Sequence, residues 1–176
     1  MKDTKNIAEV FKYCPRCGTN NLVVRSEREL YCPNCRFNLF INASGAATAI
    51  IFNENKELLL CRRAREPFRG SYELPGGFLE FEETAEDAVK REVAEELNLK
   101  INKLSYFGTY TNKYPFGGLI VNTIDIVYLC EVTDFSCLEV DDDVDKVKFV
   151  PLHKIDMKEI SSQAMRDILA KLMDAR

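Results

Sequence analysis

The sequence predicts a mixed α/β domain preceded by a small cysteine-built module. Three observations carry that prediction. Two Cys-x-x-Cys pairs stand near the start, Cys14/Cys17 and Cys32/Cys35; an acidic helix is predicted over residues 84–97 behind a double glycine; and β-rich runs flank that helix, with a second helix closing the chain. A length of 176 residues, 46% hydrophobic and 30% charged, allows one ordinary domain with a core and a small appendage.

Taken in order, the first dozen residues mix Lys, Asp, Asn and Glu with isolated apolar residues, so no secretory segment is expected. No apolar run approaches the roughly 20 residues that a bilayer-spanning helix needs. A cytoplasmic protein with no membrane partner is the expectation. The two cysteine pairs are 14 residues apart. A tetrahedral Zn²⁺ takes four thiolates, two tight turns supply a pair each, and Asn21 to Tyr31 can form the hairpin that joins them. Residues 1–42 therefore read as a zinc ribbon, its zinc structural because the protein fills every coordination position. A disulfide framework or a redox pair is the alternative for the same cysteines. So short a module has too little core to stand alone, and the metal supplies much of its folding energy. Cys61, Cys130 and Cys137 lie in apolar surroundings without mutual spacing and read as buried thiols.

Composition changes around Ile41 to Gly45, where a second domain, residues 43–176, begins. Ala46 to Phe52 and Leu58 to Cys61 read as strands joined by a turn at Asn53-Glu54-Asn55-Lys56. A basic stretch with Arg62, Arg63, Arg65 and Arg69 follows, ending in Gly70-Ser71-Tyr72-Glu73-Leu74-Pro75-Gly76-Gly77.

Thr84 is a plausible N-cap for the helix, with Asp87 three residues on. At roughly 100° per residue, Ala85, Ala88, Val89, Val93 and Leu97 gather on one side. Glu92 and Glu96 fall inside that arc and Glu95 at its border, while Glu86, Asp87, Lys90, Arg91 and Asn98 account for the solvated side. A charged face turned to water explains the second set and fits Glu92 and Glu96 poorly. Three carboxylates on one patch repel one another and are costly to desolvate unless a cation neutralises them. Hard oxygen ligands suit Mg²⁺ or Mn²⁺.

Beyond the helix, Lys103 to Tyr110 and Leu119 to Val132 read as strands, with Thr111 to Gly118 a turn-rich link. Asp141-Asp142-Asp143-Val144-Asp145 reads as an acidic loop, Lys146 to Val150 as a strand, and Ser161 to Met173 as the last helix. The lone histidine, His153, is expected near the surface after Pro151, without a metal or catalytic role.

Gly77, Glu83, Arg91-Glu92, Val93, Glu95-Glu96 and Leu99 stand at the spacing G-x5-E-x7-R-E-U-x-E-E-x-G-U, with U a large aliphatic, and so the stretch resembles the Nudix box. Every constrained position is met except the last glycine, where Asn98 stands; Asn is the usual second choice for a left-handed residue after a helix. The Tyr72-Glu73-Leu74-Pro75-Gly76-Gly77 run extends the resemblance. It implies the Nudix α/β/α sandwich with a mixed sheet, and Mg²⁺-dependent hydrolysis of a nucleoside diphosphate linked to another group. It implies Glu92, Glu95, Glu96 and the Gly76 carbonyl as metal ligands, with Arg91 orienting them by pairing with Glu83 and Glu92. The general base is left between Glu92, which is favoured, and Asp141, Asp142, Asp143 or Asp145, a run that also reads as a solvated loop.

A zinc ribbon ahead of such a domain is similar to the NADH pyrophosphatase branch, but of that branch's Ser-Gln-Pro-Trp-Pro-Phe-Pro signature only Pro115-Phe116 survives. ADP-ribose, dinucleotide and nucleotide-sugar-like substrates all stay open. Arg63 and Arg69 are candidate diphosphate contacts or an exposed basic arm; Tyr114 and Phe116 can stack on a base or simply pack. A net charge of −4 argues against a general affinity for nucleic acid, although residues 1–42 carry seven Lys or Arg against four Asp or Glu. A non-catalytic nucleotide sensor, or a hydrolase that docks RNA through its ribbon, is the alternative function. The oligomeric state is open, a homodimer included.

Overall fold

The computed structural model describes residues 10–174, with Lys5 and Asn6 as backbone. It falls into two compact units, one of residues up to Ser44 with Lys113–Asn122, the other of Gly45–Asn112 with the chain from Thr123 onward.

In the first unit, β2 (Val23–Ser26), β3 (Glu29–Tyr31) and β4 (Asn38–Phe40) form an antiparallel sheet in that order. Here β1 (Lys5–Asn6) pairs in parallel with Leu119 and Ile120 at the start of β10 (Leu119–Glu131). Two matching turns present the cysteines: the Cys14 N–H donates to Thr19 O and Gly18 N–H to Cys14 O, as the Cys32 N–H donates to Phe37 O and Arg36 N–H to Cys32 O. Gly18 and Arg36 close these turns in the left-handed region, at φ 72° and 60°.

In the second unit, β5 (Ser44–Ile51) lies between β8 (Gly76–Phe78) and β10 (Leu119–Glu131), with β9 (Lys103–Phe116) paired to β10. A second sheet runs β11 (Val144–Val150), β6 (Leu58–Arg63), β7 (Tyr72–Glu73). The two helices are α1 (Ala85–Leu97) and α2 (Gln163–Asp174). Alternation along the strands divides the core. Ala47, Ala49 and Ile51 of β5 and Leu59 and Cys61 of β6 cluster with Ala88, Val89, Val93 and Leu97 of α1. Ile50, Leu58 and Leu60 cluster instead with Ile168, Leu169 and Leu172 of α2. Strands buried on both faces between helices make an α/β/α sandwich. No helix among the described residues is long and apolar enough to cross a membrane.

Two expectations are corrected. Thr111 to Gly118 is not a turn-rich link: β9 runs on to Phe116, and the turn is Gly117-Gly118, at φ 58° and 80°. Paired positive φ values suit a two-residue hairpin, and Pro115 is tolerated because β9 pairs on one side only. Cys137 is exposed, because it lies in the loop after β10, whereas Cys61 and Cys130 are buried on strands.

Candidate active site

The four cysteines are free thiols whose sulfur atoms all lie within 4.8 Å of one another, with Cys14–Cys35 and Cys17–Cys32 at 3.7 Å. Four sulfurs about 2.3 Å from a tetrahedral centre stand roughly 3.8 Å apart, so the donor set fits the closed site of a zinc ribbon. The Asn34 amide donates to Cys17 Sγ at 3.5 Å. Thr19 and Asn34 hold the Cys17 thiol below its ordinary value, while burial and the neighbouring thiols push Cys35 up.

The second candidate site is built on α1. The Thr84 hydroxyl accepts from the Asp87 N–H at 3.2 Å and caps the first turn, where Glu86 and Asp87 also suit the positive end of the helix. At the other end Asn98 adopts φ 53° and its N–H donates to Ala94 O. Its side-chain amide donates to Cys137 O at 3.0 Å, and the Glu139 and Asp141 N–H groups donate to the Leu97 and Glu96 carbonyls. The loop carrying the acidic run thus satisfies the open end of α1.

Between these caps, α1 meets the double glycine of β8. The Gly76 N–H donates to Glu96 Oε2 at 3.0 Å. Gly76 has φ 141°, and a Cβ there would stand 2.1 Å from Ala47 O. At Gly77 a Cβ would lie 2.4 Å from Glu92 Oε1. Only glycine lets the strand come this close to the helix. Burial pushes the Glu96 carboxyl up to about 8, opposed by the Gly76 N–H and reinforced by Glu73 and Glu92. Glu92 is raised too, by burial first, with Arg91 opposing.

Arg91 ties the rest together. Its Nε and Nη2 donate to the two Glu83 oxygens at 2.8 and 2.9 Å, and its Nη1 to Glu92 Oε1 at 2.8 Å and Glu95 Oε2 at 3.0 Å. Nη2 also donates to Phe78 O at 3.1 Å. Glu83 is held below the usual carboxylate range by Arg91 and by the Glu80 N–H. Glu92 and Glu95 each spend an oxygen on Arg91, so the three glutamates share one edge of α1 without converging as tightly as the cysteines.

The remaining candidates are spread out. Arg63 donates to the Pro67 carbonyl at 2.6 Å and pairs with Glu73. Arg69 is exposed. Asp145 is gripped by Arg62 through two bonds of 2.7 and 2.9 Å, and Arg65 faces Asp143 at 2.7 Å and Asp142 at 3.6 Å. The Asp141 carboxylate accepts from the Asp142 N–H. Tyr114 and Phe116 stack on each other with centroids 6.4 Å apart, and both belong to the unit that holds the cysteines.

Sequence reasoning passed over Glu73 and Asp125. Glu73 is raised by burial and opposed by Arg63 and by the Ser161 hydroxyl, which donates to it at 3.0 Å. Asp125 lies buried on β10.

The family described as NUDIX domain matches residues 43–172. The ADP-ribose pyrophosphatase of Methanocaldococcus jannaschii is 34% identical over 122 residues, 68% of this chain and 69% of that protein. The NAD-capped RNA hydrolase NudC of Pseudomonas syringae pv. tomato is 30% identical over 146 residues, 77% of this chain but 50% of the relative, so the chain spans half of its length. Among solved structures, a NUDIX hydrolase from Nitrosomonas europaea superposes with a TM-score of 0.73 at 24% identity, covering 94% of this chain and 92% of that one.

Proposed function

The chain belongs to the NUDIX family, and we propose on that footing that it hydrolyses the diphosphate linkage of a nucleoside diphosphate joined to a second group, of the ADP-ribose, dinucleotide or nucleotide-sugar kind. The observation that carries this reading is the edge of α1 along which Glu92, Glu95 and Glu96 lie, with Glu96 half-buried and accepting from the Gly76 amide. Oxygen ligands along one helix edge suit a hard divalent ion, Mg²⁺ or Mn²⁺, which Glu92, Glu95, Glu96 and the Gly76 carbonyl would hold. When bound, such an ion neutralises phosphate oxygens and makes a water more acidic.

The chain's own groups do the rest. Glu83 fixes the Arg91 guanidinium with two bonds, and Arg91 in turn orients Glu92 and Glu95, a positioning role. Glu92 is the preferred general base, its carboxylate oriented by the Arg91 guanidinium at 2.8 Å. Asp142, Asp143 and Asp145 are engaged at the surface by Arg65 and Arg62. Arg69 is the more accessible diphosphate contact, since Arg63 is committed to Glu73 and Pro67. Residues 1–42 serve as a ribbon domain folded around a structural Zn²⁺ and residues 43–176 as the hydrolase domain, in a cytoplasmic setting.

The test is phosphate-product release with Mg²⁺ or Mn²⁺ across ADP-ribose, NADH, NAD, nucleotide sugars, diadenosine polyphosphates and nucleoside triphosphates, alongside Glu96→Gln. Turnover of one group that the variant loses is the expected result. No turnover with either ion overturns the reading and favours the non-catalytic sensor, for which nucleotide binding is the assay.

A second reading, docking of RNA, is favoured by the first unit alone. Tyr13 and Phe40 are 63% and 52% exposed in that unit, which also exposes Arg25 and Arg28. Exposed aromatic and basic groups suit single strands. An absence of salt-dependent binding to single-stranded RNA disposes of it.

A further inference from the structure

Four arginines stand at and beyond the end of β6, and their partners sort them. Arg62 meets Asp145, and Arg65 meets Asp143 and Asp142, in ion pairs whose side chains are 39–88% exposed. Pairs this open hold little. Arg63 differs: its side chain is 19% exposed and that of its partner Glu73 17%. One Glu73 oxygen accepts from Arg63 and the other from the Ser161 hydroxyl at 3.0 Å, while the Ser161 N–H donates to Tyr72 O. Arg63 Nε donates to Pro67 O at 2.6 Å. The sheltered pair thus joins β6, β7, the segment leading into α2 and the middle of the loop of residues 64–71. Pro67 is the point where that loop is gripped, and Arg65 and Arg69, both exposed, flank it two residues away on either side. At its base the loop lies against the chain that closes α1, since the Ala64 N–H donates to Asp143 O at 2.9 Å and the Asp141 N–H to Glu96 O at 3.2 Å.

We propose that Glu73 is a positioning residue for the diphosphate: through Arg63 it holds the loop of residues 64–71 so that Arg69 meets the phosphates of a nucleotide at the Glu92–Glu96 edge of α1. The proposal rests on the hydrolase reading above. Glu73 and Arg63 stay clear of the nucleotide; the exposed Arg69 touches it. Ordering a loose loop at the moment of binding costs affinity, and a loop already gripped is spared that cost. The planar guanidinium lets one side chain serve a carboxylate and a carbonyl together, and a sheltered cation stays in place only while its counter-charge does. Removing the Glu73 charge therefore loosens the loop at its middle and, with it, the neighbouring bonds from Gly70 N–H to Arg63 O and from Ser71 N–H to Phe68 O.

Steady-state kinetics with Mg²⁺ are measured for wild type, Glu73→Gln, Arg69→Ala and the double variant, on the nucleotide selected by the screen above. Glu73→Gln is expected to raise KM about fivefold or more with kcat within about threefold of wild type, the mark of lost binding rather than lost chemistry, and Arg69→Ala to do the same. Because both residues act through one contact, the double variant is expected to match Arg69→Ala within about twofold. Multiplied effects overturn the proposal, and so does an unchanged KM in either single variant; a fall in kcat alone places Glu73 at the metal edge, and a lowered Tm alone marks a structural role. Arg63→Lys keeps the charge beside Glu73 and cannot serve Pro67 O as well. It is expected to raise KM likewise and to speed hydrogen exchange of the Gly70 and Ser71 amides while α1 stays protected; unchanged exchange at both amides also overturns the proposal. If Glu73→Gln does not fold, Arg63→Lys decides, an unchanged KM counting against the proposal. If wild type turns over nothing, the hydrolase reading falls, and calorimetric affinities for ADP-ribose decide: a weakening in Glu73→Gln that vanishes in the Arg69→Ala background supports the role of Glu73, and equal affinities or no binding by wild type overturn it.

Discussion

Gly77 stands so close to Glu92 that a methyl group on it would lie 2.4 Å from the carboxylate. The strand therefore sets where that carboxylate can go. In Gly77→Ala the far end of a flexible side chain has to yield, so the fold should survive while Glu92 is displaced. Activity and Mg²⁺ affinity are expected to fall about 10–100-fold, as when a group supporting a metal ligand is lost. Gly76→Ala should behave differently, because its Cβ would meet the Ala47 backbone oxygen at 2.1 Å and φ is 141°. Urea denaturation should show several kcal/mol of destabilisation for Gly76→Ala and about 1 kcal/mol or less for Gly77→Ala. The reverse order would refute this division.

Arg91 serves three carboxylates and a carbonyl from one planar fork. Lysine keeps the charge and loses the geometry. Arg91→Lys is expected to lower kcat about 10–100-fold with little change in KM, since the group orients ligands and does not hold substrate. A loss confined to KM would instead place Arg91 on the substrate.

How far this was legible depends on what each residue signals locally. The α1 helix, its Thr84 cap and the inward set of Glu92 and Glu96 follow from period and capping, and the cysteine spacing announces its own cluster. The burial of Glu73 and Asp125 was not legible, because a single acid in a strand does not reveal which face is buried until the neighbouring strands are placed. The length of β9 was misjudged for a related reason: Asn112 and Pro115 are local turn signals, overridden by pairing with β10 and by the Gly117-Gly118 turn.

Acidity should appear in stability. In the folded chain Glu96 titrates at about 8 against an ordinary 4.5, and Glu73 and Glu92 are shifted the same way. Between those values the folded state keeps protons that the unfolded chain has released, so stability falls as pH rises through this window. In Mg²⁺-free buffer Tm is expected to decline from pH 5.5 to 8, by about 2–4 °C per kcal/mol at this chain length. Added Mg²⁺ should raise Tm more at pH 8 than at 5.5, and Glu96→Gln should flatten the decline. A Tm that climbs across the window would contradict this.

Zinc removal should act on one unit. Among the described residues, the apolar ones buried in the first unit are Cys14, Leu30 and Cys32, too few to hold about 40 residues together. Chelation, or Cys32→Ser, is therefore expected to abolish amide protection over residues 10–44 while α1 and α2 stay protected, as read by hydrogen exchange. Loss of protection in both helices at the same chelator concentration would show the ribbon to be part of their fold.

Asn98 occupies the place where the sequence pattern expects glycine, and its side chain has a task there that glycine cannot perform. At φ 53° it closes α1, and its amide donates to Cys137 O, fastening the loop whose Glu139 and Asp141 N–H groups cap the last turn. Asn98→Gly keeps the left-handed conformation and loses the side-chain bond, a cost of about 0.5–1.5 kcal/mol. Asn98→Ala loses the bond and adds the left-handed penalty of about 1–2 kcal/mol. Alanine should therefore be the less stable variant, and both should speed exchange of the Glu139 and Asp141 amides, which hang on the same loop. If glycine proves as stable as asparagine and those amides stay protected, the Cys137 bond contributes nothing and the departure from the pattern is neutral.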